Sequence, residues 1–218
     1  MTYEDIVHHK EILEYYERGS LILDALGYTD HSIAHTKLVA ERAADILNSF
    51  GCGQDMIELA KIAGFMHDIG NAINRHHHAE YGALLANEIL KETDLDLQDR
   101  VHIVSAIANH DESYGVAADP VSAALVIADK TDVRRSRVRP KDPILFDVHD
   151  RVNYAVTATR LKCGLEEKRI TLYLTVDESI CTMYEYFDIF LARMTMCSHA
   201  ARILDAQFSL KLNGQRVL

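Results

Sequence analysis

The 218-residue sequence predicts a mainly α-helical protein, with an all-helical bundle over residues 1–143 and a small α+β unit over residues 144–218. Three observations predict it. Between residues 30 and 130 apolar side chains recur at spacings of three and four, the period of a helix with one buried face. Only three prolines occur, and they leave the first two-thirds of the chain free to run as helices. Beyond Pro140 and Pro143 the pattern changes to alternation, the period of a half-buried strand.

Taken in order, Asp30 reads as an N-cap ahead of Ile33, Val39, Ala40, Ala43, Ile46 and Leu47, with Gly51 as the stop. A second helix starts near Asp55 and carries Ile57, Leu59, Ala60, Ile62, Ala63 and Phe65 into Met66, His67 and Asp68. Gly70 and Asn71 break the pattern, and a further helix is expected over 78–90 with Leu84, Leu85, Ile89 and Leu90 inward. Two more apolar stretches, 97–110 and 121–130, are separated by a turn-like segment and Pro120.

In the second unit Val152, Tyr154, Val156 and Ala158 alternate, as do Ile170, Leu172, Leu174 and Val176, with 163–168 between them. That pattern predicts an antiparallel hairpin. A long helix over 184–204 follows, its Phe187, Phe190, Leu191, Met194 and Met196 expected as core, and then a final strand through Phe208, Leu210 and Leu212.

Composition excludes several classes. A formal net charge of −10 argues against general nucleic-acid binding, which needs clustered cations over a broad surface. No apolar run approaches the roughly 18 residues of a membrane helix, and the charged start lacks a signal-peptide core, so a cytoplasmic protein is expected. Cys52, Cys163, Cys181 and Cys197 form no CxxC pair, and buried free thiols are the expectation.

Chemistry concentrates in the histidines, of which there are 12. Several fall at expected helix ends beside carboxylates, a ligand mixture that suits a borderline divalent metal. In chain order these are His35, the pair His67-Asp68, His78, His110 and Asp129. A lone His-Asp dipeptide carries little information, but the ordered set is specific. Together with Ile33-Ala34-His35-Thr36, Phe65-Met66-His67-Asp68-Ile69-Gly70 and Ile127-Ala128-Asp129-Lys130, it resembles the HD superfamily of helical metallohydrolases over about residues 30–132.

The resemblance implies that His35, His67, Asp68 and Asp129 hold one metal. It further implies that Asp68, His78 and His110 hold a second, with Asp68 bridging. His77 competes with His78, because register at a helix start is not fixed by sequence. Two ions about 3.5 to 4 Å apart can pin a hydroxide between them and neutralise charge on an attacked phosphoryl group. The implied activity is therefore hydrolysis of a small phosphomonoester or phosphodiester, nucleotide-like, with iron, manganese, nickel, cobalt or zinc as the metal. Asn71 stands where the cyclic-dinucleotide phosphodiesterases have lysine, and no Gly-Tyr-Pro follows His110, so that substrate class is not expected.

Cations crowd the stretch from Lys130 to Lys141. Lys130 and Arg137 are candidate phosphate clamps, with Arg75 a third. A solvated face or a dimer contact remains an equal reading of that cluster. The remaining histidines, His31 and His149 among them, are expected at the surface or in packing. Two other functions stay open: a di-iron oxygenase built on the same ligands, and a nucleotide-sensing binding module. The C-terminal unit either covers the pocket or builds a homodimer, and its sequence does not choose.

Overall fold

A computed structural model describes residues 1–138 and 148–218, with Val148 described by its backbone alone. The boundary at 143/144 and the cations Arg139 and Lys141 lie outside the described residues.

Nine α-helices are described: α1 (Tyr3–Val7), α2 (Lys10–Ala25), α3 (Ile33–Ser49), α4 (Gln54–Met66), α5 (His78–Leu90), α6 (Leu97–Ala108), α7 (Pro120–Lys130), α8 (Val148–Ala155) and α9 (Met183–Ile203). Short 3-10 turns follow α4, at Ile69–Ala72, and α7, at Arg135–Arg137. Four strands complete the chain: β1 (Val156–Gly164), β2 (Arg169–Val176), β3 (Gln207–Leu212) and β4 (Gln215–Arg216).

Helix α7 is the axis of the bundle. Every residue from Val121 to Lys130 is buried, and α3, α4, α6 and α9 all pack on it. A helix apolar on all sides satisfies its surface only inside a core, and here that places Asp129 and Lys130 at its last turn in the interior. Asp119 starts it by accepting from the Ser122 amide, with Pro120 at the first helical position. Helices α5 and α6 follow the expected ranges closely. Leu84 does not face inward: it is exposed, and Ala83, Ala86, Ile89 and Leu90 form the buried stripe.

The turn between α4 and α5 depends on close backbone approach. A Cβ on Gly70 would lie 2.0 Å from the His78 carbonyl oxygen and 2.5 Å from the Gly82 nitrogen, so only glycine lets the start of α5 come down on the His67-Asp68 turn. Helix α2 supports that turn from behind, with Gly19 against the backbone of Asn71 and Ala72 and the Tyr16 hydroxyl on the Phe65 carbonyl. Its buried Ile12, Tyr16, Gly19 and Leu23 are spaced by four, three and four, a helical signal overlooked in a charged segment.

Leu191, expected in the core of the long helix, is exposed instead, and two further sequence expectations need correction. Ser32 rather than Asp30 caps α3; Asp30 instead accepts from the Ser32 hydroxyl, and its amide donates to the Arg137 carbonyl. The first strand begins at Val156, because Val152 and Tyr154 belong to α8. Val152, Asn153 and Ala155 are buried there, with the helical spacing of three from Val152 to Ala155, whereas the spacing of two through Val152, Tyr154 and Val156 imitates a strand over so short a run.

In the sheet, β1 and β2 pair antiparallel across the turn at 165–168, as expected. β2 and β3 run parallel, Leu172 opposite Leu210, and α9 makes the crossover between them. A parallel pair requires such a long connection. The helix packs on β3 with one side and on α7 with the other, so the apolar core runs unbroken from the bundle into the sheet.

Candidate metal centre

Five elements bring the ordered set together. His35 comes from the first turn of α3, His67 and Asp68 from the end of α4, His78 from the first residue of α5, His110 from just beyond α6, and Asp129 from the last turn of α7. All six are buried.

Each histidine commits its Nδ1 to an acceptor. His35 donates to Asp132 Oδ2 at 2.7 Å, His67 to the Gly64 carbonyl at 2.8 Å, His78 to the Arg75 carbonyl at 3.2 Å and His110 to the Ile107 carbonyl at 2.7 Å. A neutral imidazole that donates from Nδ1 presents a lone pair at Nε2. Those four lone pairs converge on the carboxylates. His35 Nε2 lies 3.3 Å from Asp129 Oδ1 and 3.8 Å from Asp68 Oδ2; His67 Nε2 lies 3.3 Å from Asp68 Oδ2 and 3.8 Å from Asp129 Oδ1. On the other side of Asp68, His78 Nε2 is 3.6 Å from Oδ1 and 3.2 Å from His110 Nε2.

The donor set fits a cation on two observations. His35 Nε2 and His67 Nε2 are buried without a hydrogen-bond partner, a state that costs about 1–3 kcal/mol per group. The Nε2 atoms of His78 and His110 face one another lone pair to lone pair, which a cation between them turns from repulsion into shared coordination. Among the described residues, three sets lie close enough to share a cation: His31, His35 and Asp68; His35, His67 and Asp129; and His67, Asp68 and His110.

Electrostatics agree. Burial pushes the His110 imidazole down to about 3, helped by charge on His67, His78 and Lys130, which keeps it neutral and able to ligate. Burial also lowers His78, with the Arg75 charge adding to it. His67 behaves differently: burial lowers it, but the Asp68 and Asp129 carboxylates and the Gly64 carbonyl together outweigh burial and pull its proton affinity up. The field that draws a proton to His67 is the one that would draw a metal ion.

Three groups hold the centre in shape. Burial would raise the Asp132 carboxyl, but the His35 hydrogen bond and the Arg137 and Arg134 cations hold it far below the usual range, so it remains an anion behind His35. Asn71 donates to Asp68 Oδ1 at 2.9 Å and to its carbonyl at 3.0 Å. His31, expected at the surface or in packing, places Nδ1 2.7 Å from Asp68 Oδ2 and so lies at the site.

The cavity in front of the centre has a volume of about 310 Å³. Asp68, His78, His110 and Asp129 reach it, as do Tyr28, Arg75, Tyr114, Lys130, Arg137 and Arg193. Lys130 and Arg137 arrive with donors engaged. Lys130 Nζ pairs with Glu112 at 2.7 Å and Asp129 at 2.8 Å, and Arg137 donates to the carbonyls of Asp30 and Asp132. Arg75 donates to Asn71 Oδ1 at 3.2 Å and lies over the Tyr28 ring. His77 stays outside the cluster: it is left-handed at φ 60°, exposed, stacked on Tyr114 and close to Glu80.

Comparison with known proteins places this arrangement in a lineage. Residues 32–143, just over half of the chain, match the model of the HD domain. The chain belongs to the HD-domain family. It is 28% identical to an uncharacterized protein of Methanocaldococcus jannaschii over 79% of this chain and 74% of that one. A crystal structure of a predicted HD superfamily hydrolase from an uncultured Thermotogales bacterium is 27% identical, over 58% of this chain and 69% of that one, with a TM-score of 0.46.

Sequence reasoning missed His31, Asp132, Glu112 and Arg193. Asp132 had a readable signal, a second carboxylate three residues after Asp129. The others sit in loops or on a distant helix, where no periodicity points to them.

Proposed function

We infer that the protein is a phosphohydrolase that cleaves a small, nucleotide-like phosphomonoester or phosphodiester with the help of two divalent ions. His35, His67, Asp68 and Asp129 would hold one ion and Asp68, His78 and His110 the other, with iron, manganese, nickel, cobalt or zinc all suited to such ligands. Bound there, the ions supply Lewis-acid polarisation of a phosphoryl oxygen and a hydroxide nucleophile at neutral pH.

One observation carries this reading: both oxygens of Asp68 are faced by inward lone pairs, Oδ2 by His35 and His67 and Oδ1 by His78. The cavity walls favour phosphate as the reacting group. Arg75 can turn a guanidinium toward an anion while its link to Asn71 keeps it registered with Asp68. Lys130 and Arg137 add positive potential while their own donors brace Glu112, Asp129 and the Asp132 turn. Tyr28 and the exposed Tyr114 offer ring faces at the same cavity, which suits a nucleobase.

The test is a screen of the full chain, loaded in turn with manganese, iron, cobalt or nickel, against nucleotides and phosphosugars. Phosphate or nucleotide release that disappears in Asp68→Ala is expected. A di-iron absorption band with oxygen uptake and no phosphate release would overturn the hydrolase in favour of an oxygenase.

A further inference from the structure

Among the described residues, the C-terminal unit sends one charged side chain, that of Arg193, into the cavity. Arg193 lies on α9, fifty residues beyond the segment that matches the HD domain, and it lines the same cavity as Asp68, His110 and Asp129. Helix α9 packs along α7, so the position of Arg193 is tied to the helix that carries Asp129.

Its guanidinium is held on one side only. Nε donates to Glu112 Oε1 at 2.8 Å, and the guanidinium carbon sits 4.8 Å from the centre of the Phe190 ring. Glu112 Oε2 is taken by Lys130 Nζ, whose other partner is Asp129. Three ion pairs thus run in series from the metal centre to Arg193. Among the described residues no hydrogen bond engages the two terminal nitrogens of Arg193, and its side chain is 23% exposed. A planar fork with its back hydrogen-bonded and its front open is pre-organised for a phosphate or carboxylate.

We propose that Arg193 forms an anion subsite, which selects substrates carrying a second phosphate or carboxylate beyond the group that is cleaved. This rests on the phosphohydrolase reading, so the test separates the two. Inorganic pyrophosphate and inorganic phosphate are titrated calorimetrically into the manganese-loaded full chain, as wild type, Arg193→Gln and Arg193→Lys. Hydrolysis of phosphoesters with and without a second anionic group is measured in parallel.

The wild type is expected to prefer pyrophosphate by about ten-fold or more, a preference that Arg193→Gln reduces to about two-fold and Arg193→Lys partly restores. In hydrolysis, the loss in Arg193→Gln falls on KM for the doubly anionic ester more than on kcat. A preference unchanged in Arg193→Gln, with only the melting temperature lowered, would reduce Arg193 to a strut between α9 and Glu112 and overturn the subsite, as would a wild type without any preference. An Arg193-dependent preference in a protein that cleaves no phosphoester would keep the subsite and remove the phosphohydrolase.

Discussion

The two halves of the centre are built from the same residue types but supported differently. Around His35, His67 and Asp129 the histidines are sealed: neither reaches the cavity, although Asp129 does, and His35 leans on a buried carboxylate, Asp132, itself pinned by Arg134 and Arg137. Around His78 and His110 the histidines form part of the cavity wall, and among the described residues the groups behind their Nδ1 atoms are backbone carbonyls. A carboxylate behind an imidazole raises its basicity and fixes its orientation more strongly than a carbonyl does. On the proposed assignment, the inner half would retain its ion more tightly, and the outer half would exchange its ion and meet the substrate.

Substitutions can break that contrast. The largest effect is expected at Asp68, which serves both halves: Asp68→Ala should leave no stoichiometric metal after desalting and lower hydrolysis at least about 10³-fold, some 4 kcal/mol of transition-state stabilisation. Metal analysis alongside a rate assay reads both. Next comes His110→Ala, expected to take the content from two ions to one and to slow turnover about 100-fold, with the inner ion kept. If His110→Ala instead lost both ions, the halves would be one indivisible site.

Asp132→Asn should have the smallest effect, weakening the inner ion about 10- to 100-fold in competition with a chelator while the outer ion is unaffected. An unchanged chelator curve would mean that the carboxylate behind His35 does not distinguish the halves.

The same contrast explains what the sequence made legible. The proposed inner and outer ligands all sit at the ends of helices whose apolar periodicity is strong, so their placement followed once α3 to α7 were recognised. His78 could be separated from His77 only by the structure, because Gly70 and Gly82 set how closely α5 descends and so which of two adjacent residues turns inward. His31 and Glu112 lie in irregular segments positioned by long-range contacts to Asp68 and Lys130, which no local pattern encodes. On α8, eight residues were too few for a period of 3.6 to separate from a period of 2, and the helix passed for a strand. The parallel pairing of β2 with β3 was equally silent, since alternation shows that a strand exists and not which neighbour it chooses.

The central claim is that the two oxygens of Asp68 serve two ions. Anomalous diffraction from crystals of the metal-loaded full chain tests it most directly. Two anomalous peaks are predicted, one against Asp68 Oδ2 with His35, His67 and Asp129, the other against Asp68 Oδ1 with His78 and His110. A single peak, with His78 and His110 turned away from Asp68, would contradict it.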